Sequence, residues 1–130
     1  MLESDGTGSL TREIIGAAIE VHRQVGPGLL ESAYQACIES ELRARGIPFR
    51  SEVALGLVYK GHVLDPCAYR VDLIVGRTVV VELKAVESLQ PVHSAQLLTY
   101  LKLLGLRVGL LVNFNVPVLR HGIRRVFNGY

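Results

Sequence analysis

The chain has 130 residues, a formal net charge of +2 and two cysteines, and nearly half of its residues are apolar. It is short enough for a single domain over 1–130 and apolar enough to bury a core; its small net charge does not by itself select nucleic acid as a partner, which takes a local basic patch. No apolar run is long enough to cross a bilayer and the start lacks a basic-then-apolar signal pattern, so a soluble, cytoplasmic protein without a membrane partner is expected.

Residues 1–9 contain Gly and Ser and are expected to be flexible. LTREIIGAAIEVHRQVG (residues 10–26) has apolar residues at Leu10, Ile14, Ile15, Ala18, Val21 and Val25, which is helical spacing, and the Gly-Pro-Gly that follows breaks it. His22, near the apolar face, reads as a packing histidine. LLESAYQACIESELRARG (29–46) gives a second helix on Leu30, Tyr34, Ile38 and Leu42, ended by Gly46 and Pro48. Cys37 in that helix and Cys67 beside a proline form no CxxC pair and read as wholly or partly buried thiols.

The period then changes to that of strands. VALGLVY (53–59) and YRVDLIV (69–75) flank a Lys60–Gly61 turn, and TVVVELKAV (78–86) is a third strand. PVHSAQLLTYLKLLG (91–105) is a helix opened by Pro91 and closed by Gly105, RVGLLVNF (107–114) a strand, and IRRVF (123–127) a short final strand. The order α-α-β-β-β-α-β-β predicts an α/β protein of mixed α+β type, with a mixed central sheet flanked by helices. The strand after the third helix is expected to run parallel to the one before it.

Charges inside the apolar strands carry the chemistry. Glu82 and Lys84 lie two apart and so share a strand face. Asp72 precedes them across a short connection, and register decides whether the acids meet. A two-residue connection sets Asp72 against Val81. A three-residue connection over 76–78 pairs Val75 with Val79 and Asp72 with Glu82, and brings Arg70 opposite Lys84. A bulge would do the same as the longer connection, and the apolar pattern does not choose among these options. Facing carboxylates repel, and a divalent cation such as Mg²⁺ is the natural offset.

Asp72 followed by Glu82-x-Lys84 on the next strand resembles the core of the PD-(D/E)XK nuclease superfamily, with Val71 where the family name has proline. Gln96 and Tyr100 in QLLTY resemble the Q-x-x-x-Y motif of its RecB-type members. Gly28, Glu31 and Tyr34 in GLLESAY resemble the signature of the small bacterial GxxExxY family, and EVHRQVGPG and GLLVNF fit as flanking text. The resemblance covers residues 14–128 and implies a restriction-endonuclease-like core and a nuclease, a hydrolase of phosphodiester bonds, for which DNA is the first expected substrate and RNA the second. It implies that Asp72 and Glu82 hold Mg²⁺ or Mn²⁺, with the Leu83 carbonyl and Glu31 as further ligands, that Lys84 positions the attacking water, and that Gln96 and Tyr100 lie at the rim.

Simpler readings stand beside these. The acid–lysine group can be a structural ion cluster, Glu31 a helix-start carboxylate three residues after a Gly28 cap, and Tyr34 a core residue. His93 reads as a solvated helix-start histidine. Arg124 and Arg125 face opposite ways on an edge strand. Arg70, Tyr34, His93 and Arg124 are the candidate nucleic-acid contacts. The competing function is a non-catalytic nucleic-acid-binding or protein-interaction module on the same fold; a nuclease working as a homodimer or in a partner complex is a third.

Overall fold

Each change of hydrophobic period marks a change of element. The computed structural model describes residues 7–129 as α1 (Thr7–Val25), α2 (Glu31–Ala44), β1 (Phe49–Tyr59), β2 (His62–Val75), β3 (Val79–Lys84), α3 (Pro91–Leu104), β4 (Val108–Asn113), a 3-10 turn (Leu119–Gly122) and β5 (Ile123–Phe127). The expected α-α-β-β-β-α-β-β order holds, and the strands form one mixed sheet in the order β1-β2-β3-β4-β5. β3 and β4 are parallel across α3, whereas β1–β2, β2–β3 and β4–β5 are antiparallel.

Helices cover both faces of the sheet. Ile14, Ala17, Ala18 and Val21 of α1 pack with Tyr34, Ile38 and Leu42 of α2 on Leu73, Val75, Val79, Val81, Leu83, Leu110 and Val112. On the other face Leu97, Tyr100 and Leu101 of α3 pack on Val71, Ile74, Val80 and Leu111. β3 and β4 are therefore buried along nearly their whole length, as strands with both faces covered must be. Gly105 ends α3 at φ 69°, a left-handed conformation that costs a residue with a Cβ more than it costs glycine.

Four expectations need correction. Helix α1 already begins at Thr7, so residues 7–9 are helical rather than flexible; residues 1–6 lie outside the described residues. Val25, the last residue of α1, is exposed rather than part of the buried stripe. The first hairpin is longer than the apolar pattern suggested, reaching from Phe49 to the far side of Pro66. A proline is tolerated there because β3 pairs with β2 only over Leu73–Val75, and among the described residues no other strand bonds the outer edge of the earlier stretch. Cys67 lies on this outlying stretch and is exposed, whereas Cys37 is partly buried as expected.

One irregularity sits beside the candidate site. Tyr69 and Val71 belong to the α3 face, yet Leu73 and Val75 belong to the opposite one, although simple alternation would keep all four together. The same inversion occurs on β1 between Phe49 and Val53. Ser51 pairs with Leu73 and Val53 with Val71, and between them stands Glu52 at φ 52°, an uncommon conformation for a residue with a Cβ. Both strands change phase at the step occupied by Glu52 and Asp72.

Candidate active site

Asp72 and Glu82 meet where the β2–β3 ladder ends. The connection over 76–78 counts three residues, and Val75 pairs with Val79, Ile74 with Val80 and Leu73 with Val81. That register brings Asp72 across from Glu82. Beyond it, side chains take over from backbone carbonyls. The Asp72 N–H donates to Glu82 Oε2 at 2.8 Å, and the Leu83 N–H donates to Asp72 Oδ2 at 2.8 Å. Each carboxylate accepts from the opposite strand with one oxygen and keeps a second oxygen for another partner.

Burial makes this arrangement costly for negative charge. Glu82 is 4% exposed. Burial pushes its carboxyl up to about 8, the charge of Asp72 adds to the rise, and the Asp72 N–H and Lys84 oppose it. Asp72 is also raised, again mainly by burial, against the pull of the Leu83 N–H and Lys84. Lys84 does not offset the cost of a buried Glu82 beside a half-buried Asp72. Among the described residues no three acidic, His or Cys side chains are already gathered as a ligand set. Two carboxylates with available oxygens, next to the Leu83 main chain, nevertheless form an all-oxygen donor set of the kind Mg²⁺ and Mn²⁺ take, completed by water and substrate. The residues present fit such a cation.

Lys84 ends β3, half-buried, two residues beyond Glu82, and its charge lowers the pKa of both acids. Its own carbonyl accepts from the Phe114 N–H at 3.0 Å. The next turn of chain is pinned by Asn113, which is buried; its side chain accepts from the Val86 N–H at 3.0 Å and donates to the Val86 carbonyl at 2.9 Å. Tyr100 is buried in the packing of α3 on the sheet rather than at the rim as expected, within the electrostatic reach of both acids. Burial and the charges of Glu82 and Asp72 push its hydroxyl up to about 12, so it stays a donor at neutral pH. Gln96, one turn earlier, is exposed.

On the other side a cleft of about 510 Å³ opens between α2 and the β1–β2 hairpin, lined by residues that include Glu31, Gln35, Glu52, Arg70, Asp72 and Leu83. Glu31 is the first residue of α2, and its helix is preceded by Leu30, not by a Gly28 cap three residues back. It is exposed, and its charge raises the pKa of both Asp72 and Glu82. The glycine and tyrosine around it have a structural logic. Gly28 holds φ 101° in the loop that delivers Glu31. The Tyr34 hydroxyl donates to the Gly26 carbonyl at 2.6 Å and accepts from the Leu29 N–H at 3.2 Å, closing that loop. Its ring stacks on Phe114 with centroids 4.3 Å apart.

The candidate nucleic-acid contacts divide. Tyr34 is fully buried, so it has no surface to offer and the core reading holds. His93 accepts the Gln90 N–H on Nδ1 at 2.9 Å, which caps the start of α3; its partner is the backbone rather than solvent alone. Arg70 is exposed at the cleft and pairs with Glu52 at 3.2 Å. Arg124 is exposed on the edge strand β5 and lies in the cross-strand row Glu82–Leu111–Arg124, two strands from the acids. His22 is a packing histidine, with Nε2 2.7 Å from the Val116 carbonyl.

Sequence reasoning overlooked Gln35, Glu52 and Asn113. Gln35 follows Glu31 by one helical turn and so shares its face, a signal the sequence does contain. Its Nε2 donates to the Asp72 carbonyl at 3.0 Å and to Glu39 Oε2 at 2.9 Å.

Neither the curated proteins nor the solved structures searched gave a match. A family model for the PD-(D/E)XK nuclease superfamily matches residues 8–126, a span that takes in every residue of the site described above. The chain belongs to the PD-(D/E)XK nuclease superfamily, and its helix-flanked, mixed five-stranded sheet is the restriction-endonuclease-like fold of that superfamily.

Proposed function

We propose that the chain is a Mg²⁺- or Mn²⁺-dependent nuclease that hydrolyses phosphodiester bonds in DNA, as a GxxExxY-type member of its superfamily. The observation that carries this reading is the reciprocal pairing of Asp72 and Glu82 across the end of the β2–β3 ladder, with Lys84 in the same electrostatic field. Asp72 and Glu82 hold the cation, with the Leu83 carbonyl and Glu31 as further oxygen donors. When bound, the cation supplies Lewis-acid polarisation of the scissile phosphate and offsets its charge. Lys84 orients the attacking water and favours its deprotonated form by charge. Tyr100 keeps its proton and donates toward the carboxylates or the phosphate, and Gln96 meets the backbone at the rim. Arg70, at the mouth of the cleft, contacts a phosphate.

The test is cleavage of single- and double-stranded DNA and RNA with Mg²⁺ or Mn²⁺ by wild type, Glu82→Ala and Lys84→Ala. Cation-dependent cleavage of DNA lost in both variants is expected. Cleavage that survives both substitutions assigns the activity elsewhere. Folded wild type that retains nucleic acid without cutting it under any condition points instead to a binding module.

A further inference from the structure

Resting on the reading of Asp72 as a site carboxylate, we infer that Gln35 is a positioning residue that fixes Asp72 in place from helix α2. The reason lies in the accounting of Asp72's polar groups. Its N–H goes to Glu82 and its Oδ2 accepts from Leu83, both on β3. Its carbonyl stands at the step where the β1–β2 pairing skips a pair, between Ser51–Leu73 and Val53–Val71. A half-buried carbonyl without a ladder partner is best satisfied by a side-chain donor, and Gln35 Nε2 supplies one at 3.0 Å.

The amide is oriented rather than free to flip. Nε2 carries two protons, and its two acceptors are the Asp72 carbonyl and Glu39 Oε2 at 2.9 Å. Glu39 Oε1 in turn accepts from Arg43 at 3.3 Å, and the Arg43 guanidinium lies 5.2 Å over the Phe49 ring. A relay spaced four residues apart along one face of α2 therefore ends on the main chain of Asp72. Because the carboxylate and the carbonyl belong to one residue, holding the carbonyl limits how far the carboxylate can swing from Leu83 and Glu82.

The experiment uses the full chain and Gln35→Met, which keeps side-chain length and helix propensity and removes both donors. Two readouts separate the role from a general loss of stability. Amide hydrogen exchange without metal is expected to accelerate at Leu83 and Asp72 by about tenfold or more, with amides of β4 unchanged. Mn²⁺ affinity by titration calorimetry is expected to fall about tenfold, the scale of a partner that orients a metal ligand. Glu39→Gln, which weakens the anchor and leaves the Asp72 bond, is expected to show a smaller effect in both and serves if Gln35→Met does not fold. Unchanged exchange at Leu83, or uniform acceleration at every amide, overturns the positioning role. Absence of Mn²⁺ binding in wild type, alongside the expected exchange change, overturns the proposed function and leaves the positioning role standing.

Discussion

Replacing Glu82 with glutamine should make the metal-free protein more stable, and increasingly so as pH rises. Glutamine keeps the volume and an oxygen to accept the Asp72 N–H, and removes only the capacity to ionise. Above pH 4.5 the unfolded chain has given up the Glu82 proton, while the folded chain keeps it up to about 8. Between those limits unfolding releases one proton, so raising the pH favours unfolding at about 1.4 kcal/mol per pH unit. The stability that Glu82 contributes is thus fully present below pH 4.5 and is lost as pH rises through about 8. Summed over that window, the loss is on the order of 4–5 kcal/mol, a large part of the stability of a small domain. The assay is urea unfolding in EDTA from about pH 5 to 9, read as the difference between wild type and Glu82→Gln. The difference should grow steadily with pH and level off above about 8, and added Mn²⁺ should shrink it by stabilising wild type alone. Parallel profiles for the two proteins would refute the claim that Glu82 is buried without sufficient positive charge.

Other consequences are more local. Lys84→Ala should lower Mn²⁺-dependent DNA cleavage by about 100-fold or more with little change in folding, measured as initial rates at saturating metal; a rate within threefold of wild type would remove Lys84 from the mechanism. Tyr34→Phe keeps the stack on Phe114 and leaves the Gly26 carbonyl and Leu29 N–H without their partner. It should cost about 1–3 kcal/mol in urea unfolding, and an unchanged midpoint would mean that water replaces the hydroxyl freely. Gly122→Ala would drive a Cβ into the Asn113 carbonyl and against Val116, so a loss of about 1–3 kcal/mol is expected, together with weakened pinning of Val86; a wild-type midpoint would show that the 3-10 turn yields without cost.

The sequence by itself determined what depends on neighbours along the chain. The 3.6-residue spacing of Ile14, Ala18 and Val21 made a helix, the Lys60–Gly61 turn made a hairpin, and the valines before Glu82 made a buried strand, because periodicity and turn chemistry act over a few residues. It also posed the site as a condition, that the 76–78 connection must count three residues or contain a bulge if Asp72 is to face Glu82. It did not choose, because both faces of β2 and β3 are apolar and either register buries similar side chains. The three-residue connection over 76–78, with Gly76 and Arg77 at positive φ, is what the folded chain adopts. Tertiary structure decided the rest. Tyr34 stacked on Phe114, and the hairpin ran on past Pro66 where, among the described residues, no third strand needs a backbone donor. Gln35 reached Asp72 across 37 positions of sequence. These pairings depend on which surfaces the sheet and helices bring within hydrogen-bond reach, a property of the packed molecule that no local pattern encodes.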